Sequence, residues 1–132
     1  MNNSIFVNLP IDKLEPSVEF FTGLGFTFNP QFTSEDSTCM VVSPNIYVML
    51  LEKAKFSTFI DKPIADRGSV GSLLALSCES VDEVRKLCEK AFSLGARRFK
   101  DPDEYPFMFG WGFEDLDGHI WELFWMNPEH VQ

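Results

Sequence analysis

The same order of elements occurs twice along these 132 residues, and no other feature restricts the fold as much. The apolar run 5–9 reads as a strand, ended by Pro10 and Asp12. A helix is predicted from near Pro16, whose fixed φ suits a first helical position. Val18, Phe21 and Leu24 are its expected buried stripe, and Gly23 and Gly25 its stop. Strands are predicted at 26–28, 39–43 and 46–51, the last two joined by a turn at Pro44 and Asn45. The pattern then restarts with a strand at 73–78. Ser80, with Glu83 three residues on, has capping-box spacing. Val84, Leu87, Cys88, Ala91 and Phe92 form the apolar face of a second helix, which Gly95 ends. A strand is predicted at 97–100. Phe107, Phe109, Trp111 and Phe113 then alternate with Met108, Gly110, Gly112 and Glu114, the period of a strand. Asp117 and Gly118 make a hairpin turn, and 119–125 is the last strand.

The two helices end alike, in Leu24-Gly25-Phe26 and Leu94-Gly95-Ala96. The expected fold class is therefore α+β. Two βαβββ modules, 1–52 and 70–132, make one domain, with 53–69 as a linker carrying a short amphipathic piece, Phe56, Phe59 and Ile60. One module alone leaves a sheet face uncovered. Pairing two modules, within one chain or across two, encloses a cup between sheets with the helices outside. Fourteen phenylalanines supply apolar surface for both a core and a cup.

A formal net charge of −9 argues against a nucleic-acid partner, which needs clustered Lys and Arg, and against an anionic membrane surface. No apolar run approaches membrane-spanning length. No basic stretch precedes an apolar run near Met1, so no signal peptide is expected. Cys39, Cys78 and Cys88 form no CxxC pair and are odd in number, which suggests neither a zinc site nor a disulfide framework. A reducing cytoplasm is the expected compartment, with all three cysteines in apolar surroundings.

The stretch Phe6-Val7-Asn8-Leu9-Pro10-Ile11, continuing through Ser17, Phe20, Phe21 and Leu24-Gly25-Phe26, resembles the opening of glyoxalase-like proteins. Phe113-Glu114-Asp115-Leu116-Asp117-Gly118-His119-Ile120-Trp121-Glu122 resembles their closing hairpin. The chain is thus similar over nearly its whole length to the vicinal oxygen chelate superfamily, the glyoxalase and bleomycin-resistance proteins. That resemblance implies a U-shaped mixed sheet around a pocket. In metal-dependent members it also implies four inward His, Glu or Gln side chains from the first and last strands of each module. These hold one divalent cation that binds two neighbouring substrate oxygens.

Matched position by position, Glu122 falls on the last-strand ligand position. Met49 is its counterpart, counted from the Pro44–Asn45 turn. Phe6 and Leu73 fall on the first-strand positions, with Asn8 and Ala75 as their same-face neighbours. One carboxylate among four positions is a poor cage for a transition metal, so the usual metal site and any cofactor are expected to be absent. His119 does not repair the set, because an odd separation from Glu122 along a strand points the two to opposite faces. It is expected on the surface or a sheet face, and His130 in a solvated tail.

Glu122, flanked on its strand face by Ile120 and Phe124, is the candidate reactive group, as a general base or as an anchor for a ligand's ammonium or guanidinium; the other reading is a salt bridge or backbone hydrogen bond that merely finishes the sheet. The expected ligand-binding set is Phe6, Asn8, Met49, Leu51, Leu73, Trp111, Glu122 and Phe124. The aromatic row through Trp111 suits either a core beneath a helix or a wall for a flat ligand. Gly110 and Gly112 opposite would admit a close approach. The leading functional expectation is a homodimeric binder of a cationic or aromatic small molecule, of the bleomycin-resistance type. The alternative is a lyase, isomerase or dioxygenase of the glyoxalase type using Zn, Ni, Fe or Mn. A metal-free enzyme with Glu122 as base and an interaction subunit with a filled pocket complete the set.

Overall fold

A computed structural model describes residues 2–129, so His130 lies outside the described residues. The chain divides into two compact units, Met1–Asp66 and Arg67–Gln132.

In the first unit, strand β1 (Ile5–Ile11) leads to helix α1 (Leu14–Gly23), then β2 (Thr27–Asn29), a 3-10 turn at Pro30–Phe32, β3 (Ser37–Ser43), β4 (Ile46–Glu52) and a short helix, α2 (Lys53–Ser57). The sheet order is β1-β4-β3-β2, with β1 parallel to β4 and the other pairs antiparallel. Register pairs Leu9 with Leu50 and Val7 with Val48, so one apolar face meets α1, whose Ser17, Phe20 and Phe21 are buried. Val18, expected in that stripe, is only half-buried, and Ser17 and Phe20 take the inner positions. The helix also begins before Pro16. Lys13 at its N-cap offers no side-chain acceptor, and Glu52 Oε2, from the far end of β4, accepts from Leu14 N at 3.0 Å instead. Pro16 then stands in the first turn, where its missing N–H costs nothing.

The second unit comprises β5 (Leu73–Ser77), α3 (Val81–Ser93), β6 (Asp103–Glu104), β7 (Met108–Glu114) and β8 (Ile120–Met126). Its order, β5-β8-β7-β6 with β5 parallel to β8, repeats that of the first unit place for place. Ser80 Oγ accepts from Glu83 N at 3.0 Å, the expected N-cap. Glu83 Oε1 reaches Glu79 N rather than the Ser80 N–H of a capping box.

The matching helix ends are one motif made twice. Phe26 N and Gly25 N bond to Phe21 O and Thr22 O, and Ala96 N and Gly95 N bond to Ala91 O and Phe92 O. Both glycines have positive φ, +102° and +108°, as such a C-terminal cap requires.

The strand predicted at 97–100 shrinks to one bridge, Arg97 with Glu114. Beyond it the Lys100 carbonyl bonds to the Trp111 indole instead of a backbone N–H, and the ladder resumes only at Asp103 and Glu104. The β7–β8 loop is also longer than a two-residue hairpin. Asp115 O accepts from Gly118 N, and Asp115 N donates to His119 O.

Candidate functional site

Alternation along β8 places Trp121 and Leu123 on one face of the second sheet and Ile120, Glu122 and Phe124 on the other. The first face is the core beneath α3. There Phe109, Trp111, Phe113, Trp121 and Leu123 are all nearly sealed from solvent, and the Trp111 ring meets Phe92 of α3 edge-on at 5.3 Å. Trp111 therefore does not join Glu122 in one ligand-binding set. The aromatic row is core, with Arg98 stacked over Trp111 and Arg85 over Phe109 at its margins.

On the opposite face, register sets Glu122 beside Ala75 of β5 and Gly112 of β7. The group that approaches Gly112 closely is Glu122 itself. A Cβ built at Gly112 would stand 2.9 Å from Glu122 Oε2 and 2.5 Å from Trp121 O. The carboxylate thus lies over bare backbone and reaches the 97–104 segment beyond β7. Lys100 Nζ donates to Oε1 at 2.8 Å and to Asp103 Oδ2 at 3.1 Å. Burial alone would lower the Lys100 pKa, but the hydrogen bonds and charges of Glu122 and Asp103 outweigh it and leave the ammonium above its ordinary value. Glu122 Oε2 is buried and has no hydrogen-bond partner, the one such side-chain atom among the described residues.

The remaining expected residues lie on the corresponding face of the first sheet or on β5. Register pairs Phe6 with Tyr47, Asn8 with Met49 and Pro10 with Leu51. Phe6 is half-exposed and stacks on Tyr47 at 4.6 Å. Asn8 is exposed and turns its Nδ2 back to Phe6 O at 3.2 Å. Leu51 is 3 % exposed, which leaves it no free surface to offer a ligand. Leu73 is exposed and pairs with Ile120, two residues before Glu122 on the same strand face. The strand positions beside Met49 and Glu122 are thus Asn8 and Ala75, rather than Phe6 and Leu73. Among the described residues no three His, Cys, Asp or Glu side chains gather where an ion could sit. His119 precedes β8 instead of lying in it, and its backbone N donates to Asp115 Oδ1 at 2.9 Å, so strand parity does not govern it.

Two groups escaped the sequence reading. Lys100 meets Glu122 across 22 residues of chain, which no local pattern signals. Asp115, 3 % exposed, accepts from Asp117 N, His119 N and Trp121 Nε1, each at 2.9 Å. Burial raises its pKa despite those bonds. Its signal was present in Asp115-Leu116-Asp117-Gly118, the kind of Asx-rich turn in which a side chain bonds to backbone two residues on.

Residues 3–43 match the family model for the N-terminal part of bleomycin resistance protein-like chains. A hypothetical protein from S. aureus superposes with a TM-score of 0.80 at 25 % identity, covering 94 % of each chain. A glyoxalase-related enzyme from Fulvimarina pelagi gives 0.79 at 22 %, over 95 % of this chain and 88 % of that one. The fold is that of the vicinal oxygen chelate superfamily. A genomically encoded fosfomycin resistance protein from Listeria monocytogenes shares 16 % identity over 98 % of this chain and 97 % of its own, with a TM-score of 0.71. No curated protein matches the chain. No helix among the described residues is long and apolar enough to cross a membrane.

Proposed function

We propose that this chain is a metal-independent small-molecule binding protein of the glyoxalase/bleomycin-resistance type, with Glu122 as its polar anchor. The observation that carries the reading is the state of one carboxylate. Glu122 Oε1 is held by the Lys100 ammonium, while Oε2, buried over Gly112, has no partner. A buried acceptor left unmade costs about 1–3 kcal/mol, and a ligand N–H or O–H recovers that cost. Ala75, Ile120 and Phe124 on the same face offer apolar contact to the ligand's body.

The donor chemistry disfavours a divalent cation. The four family positions supply a carboxylate already neutralised by an ammonium, an amide bonded to its own strand, a thioether and a methyl group. Zinc or nickel wants several imidazole, thiolate or free carboxylate donors.

The test is elemental analysis of the purified protein after incubation with nickel or zinc, with a glyoxalase assay on the same sample. We expect no stoichiometric metal and no turnover. Bound metal at one equivalent with metal-dependent turnover would establish the lyase-type alternative in its place. In parallel, a thermal-shift series with aromatic amines and amidines is expected to stabilise the wild type and to leave Glu122→Gln unmoved.

A further inference from the structure

Lys100 is bound to two carboxylates that differ in setting. Glu122, on a central strand, is 26 % exposed, whereas Asp103, three residues along the same segment, is 51 % exposed. The segment itself is pinned, because Trp111 Nε1 donates to the Lys100 carbonyl at 3.0 Å. The ammonium can therefore leave Glu122 by side-chain rotation alone and stay paired with Asp103. With one cation and two carboxylates, the trio carries a formal charge of −1. Once the ammonium leaves, Oε1 is open, and Oε2, buried over Gly112, already lacks a partner. Two parallel acceptors on one carboxylate are the complement of a planar N–H fork.

We propose that Lys100 is a displaceable internal occupant of Glu122, and that the group that displaces it is a guanidinium or amidinium on an apolar body. This deepens the binding reading above and rests on it. In the resting protein Lys100 neutralises Glu122. On binding, the Glu122 carboxyl group turns out from Gly112, the fork takes both oxygens, Lys100 moves wholly to Asp103, and the apolar body lies against Ala75, Ile120 and Phe124. Lys100 thereby sets specificity: a single N–H donor gains one oxygen, while a fork gains two and repays the displacement.

Benzamidinium is the probe, with benzamide as its uncharged counterpart, and calorimetric titration the measurement. The double variant Lys100→Met/Asp103→Asn keeps the local charge at −1, carried by Glu122 alone, and removes the competitor. It is expected to bind benzamidinium about fivefold tighter than wild type, the equivalent of a partly exposed ion pair worth about 1 kcal/mol. Glu122→Gln should abolish binding in both backgrounds. Lys100→Arg retains the charge and offers the carboxylate its own fork, so it should weaken binding. Equal affinity of the double variant and wild type, with Glu122→Gln still inactive, overturns the displacement and leaves the binding reading standing. An unchanged affinity in Lys100→Arg counts the same way. Absence of benzamidinium binding from both wild type and folded double variant removes this proposal and its cationic ligand class, and benzamide binding would then preserve an uncharged ligand for the site.

Discussion

Gly112 and Glu122 face each other across β7 and β8, and the missing side chain of one makes room for the carboxylate of the other. An alanine Cβ at 112 would stand 2.5 Å from the Trp121 carbonyl oxygen, which is backbone and cannot step aside. Gly112→Ala should therefore spread β7 from β8 and lower stability by about 1–3 kcal/mol. It should also lose the response to amidines, because Glu122 no longer reaches its place. Gly110→Ala is the comparison: its Cβ meets the flexible end of Met108 at 3.4 Å. Thermal melts of the two variants decide the matter, and equal melting temperatures would contradict the account.

Gly25 and Gly95 hold equivalent caps, yet they differ in surroundings. Both have positive φ, but a Cβ at Gly25 meets nothing, while one at Gly95 comes within 3.3 Å of Leu116 Cδ2. Gly25→Ala should cost only the backbone strain, about 1 kcal/mol. Gly95→Ala should cost that plus a shift of Leu116. Urea unfolding of both variants gives the order, and a larger loss at Gly25 would be the wrong result.

Those caps also show why part of the fold is legible in the sequence. Leu-Gly at the end of an amphipathic run is a local event, as are the Ser80 cap and the alternation from Phe107 to Phe113, so the repeated strand–helix–strand order was legible. Alternation separates two faces but does not say which face a helix covers. That is why Trp111 could be set beside Glu122 when its ring belongs under α3. The two-residue strand Asp103–Glu104 is too short to show any period. The partners that shape the site are long-range: Lys100 with Glu122, and Glu52 with the start of α1. Nothing within a window of ten residues announces either.

The Lys100–Glu122 pair should matter little to stability at neutral pH, since the ammonium keeps Asp103 as a partner when Glu122 loses its charge, and neither side chain is sealed from water. Glu122→Gln is expected to shift unfolding by no more than about 1 kcal/mol, so its loss of ligand response is not a loss of fold. The pH dependence has a definite sign. Lys100 has a folded pKa above 10.5, so its contribution is present below that value and fades as pH rises through the folded one. Glu122→Gln should flatten this part of the alkaline decline. Parallel wild-type and variant curves above pH 10 would show that the pair carries no linkage.

Asp115 organises the loop that launches β8. Asp115→Ala removes three hydrogen bonds at once and leaves the indole N–H of Trp121, itself 1 % exposed, without the acceptor it has now. The expected loss is about 2–4 kcal/mol, one buried donor left unmade plus two loop bonds. Exchange of the Trp121 indole proton, followed by NMR, should quicken in the variant at temperatures where it remains folded. An unaltered exchange rate would mean that Asp115 does not hold the ring.

The thiols supply a second alkaline signature. Burial pushes the Cys88 thiol up to about 12, with Cys78, Glu122 and Glu89 adding to the rise and Lys100 opposing it. Burial, followed by Glu83, takes Cys78 to about 11. The folded protein thus holds these protons more tightly than the unfolded chain, whose thiols titrate near the ordinary value of 9.0. Stability from this source is unaffected below pH 9 and falls as pH rises from 9 toward 12, by a few kcal/mol on the order of 1.4 per unit of difference. Cys88 is 0 % exposed, so at pH 8 it should not react with a thiol reagent until the chain unfolds. Cys88→Ala leaves a small cavity and starts from a lower stability, but its decline between pH 9 and 11 should be shallower than that of the wild type. Urea midpoints at pH 8, 9.5 and 11 separate the two effects: a constant offset reports the cavity, and a converging pair of curves reports the thiol. Curves that stay parallel would show that the Cys88 proton is not linked to folding.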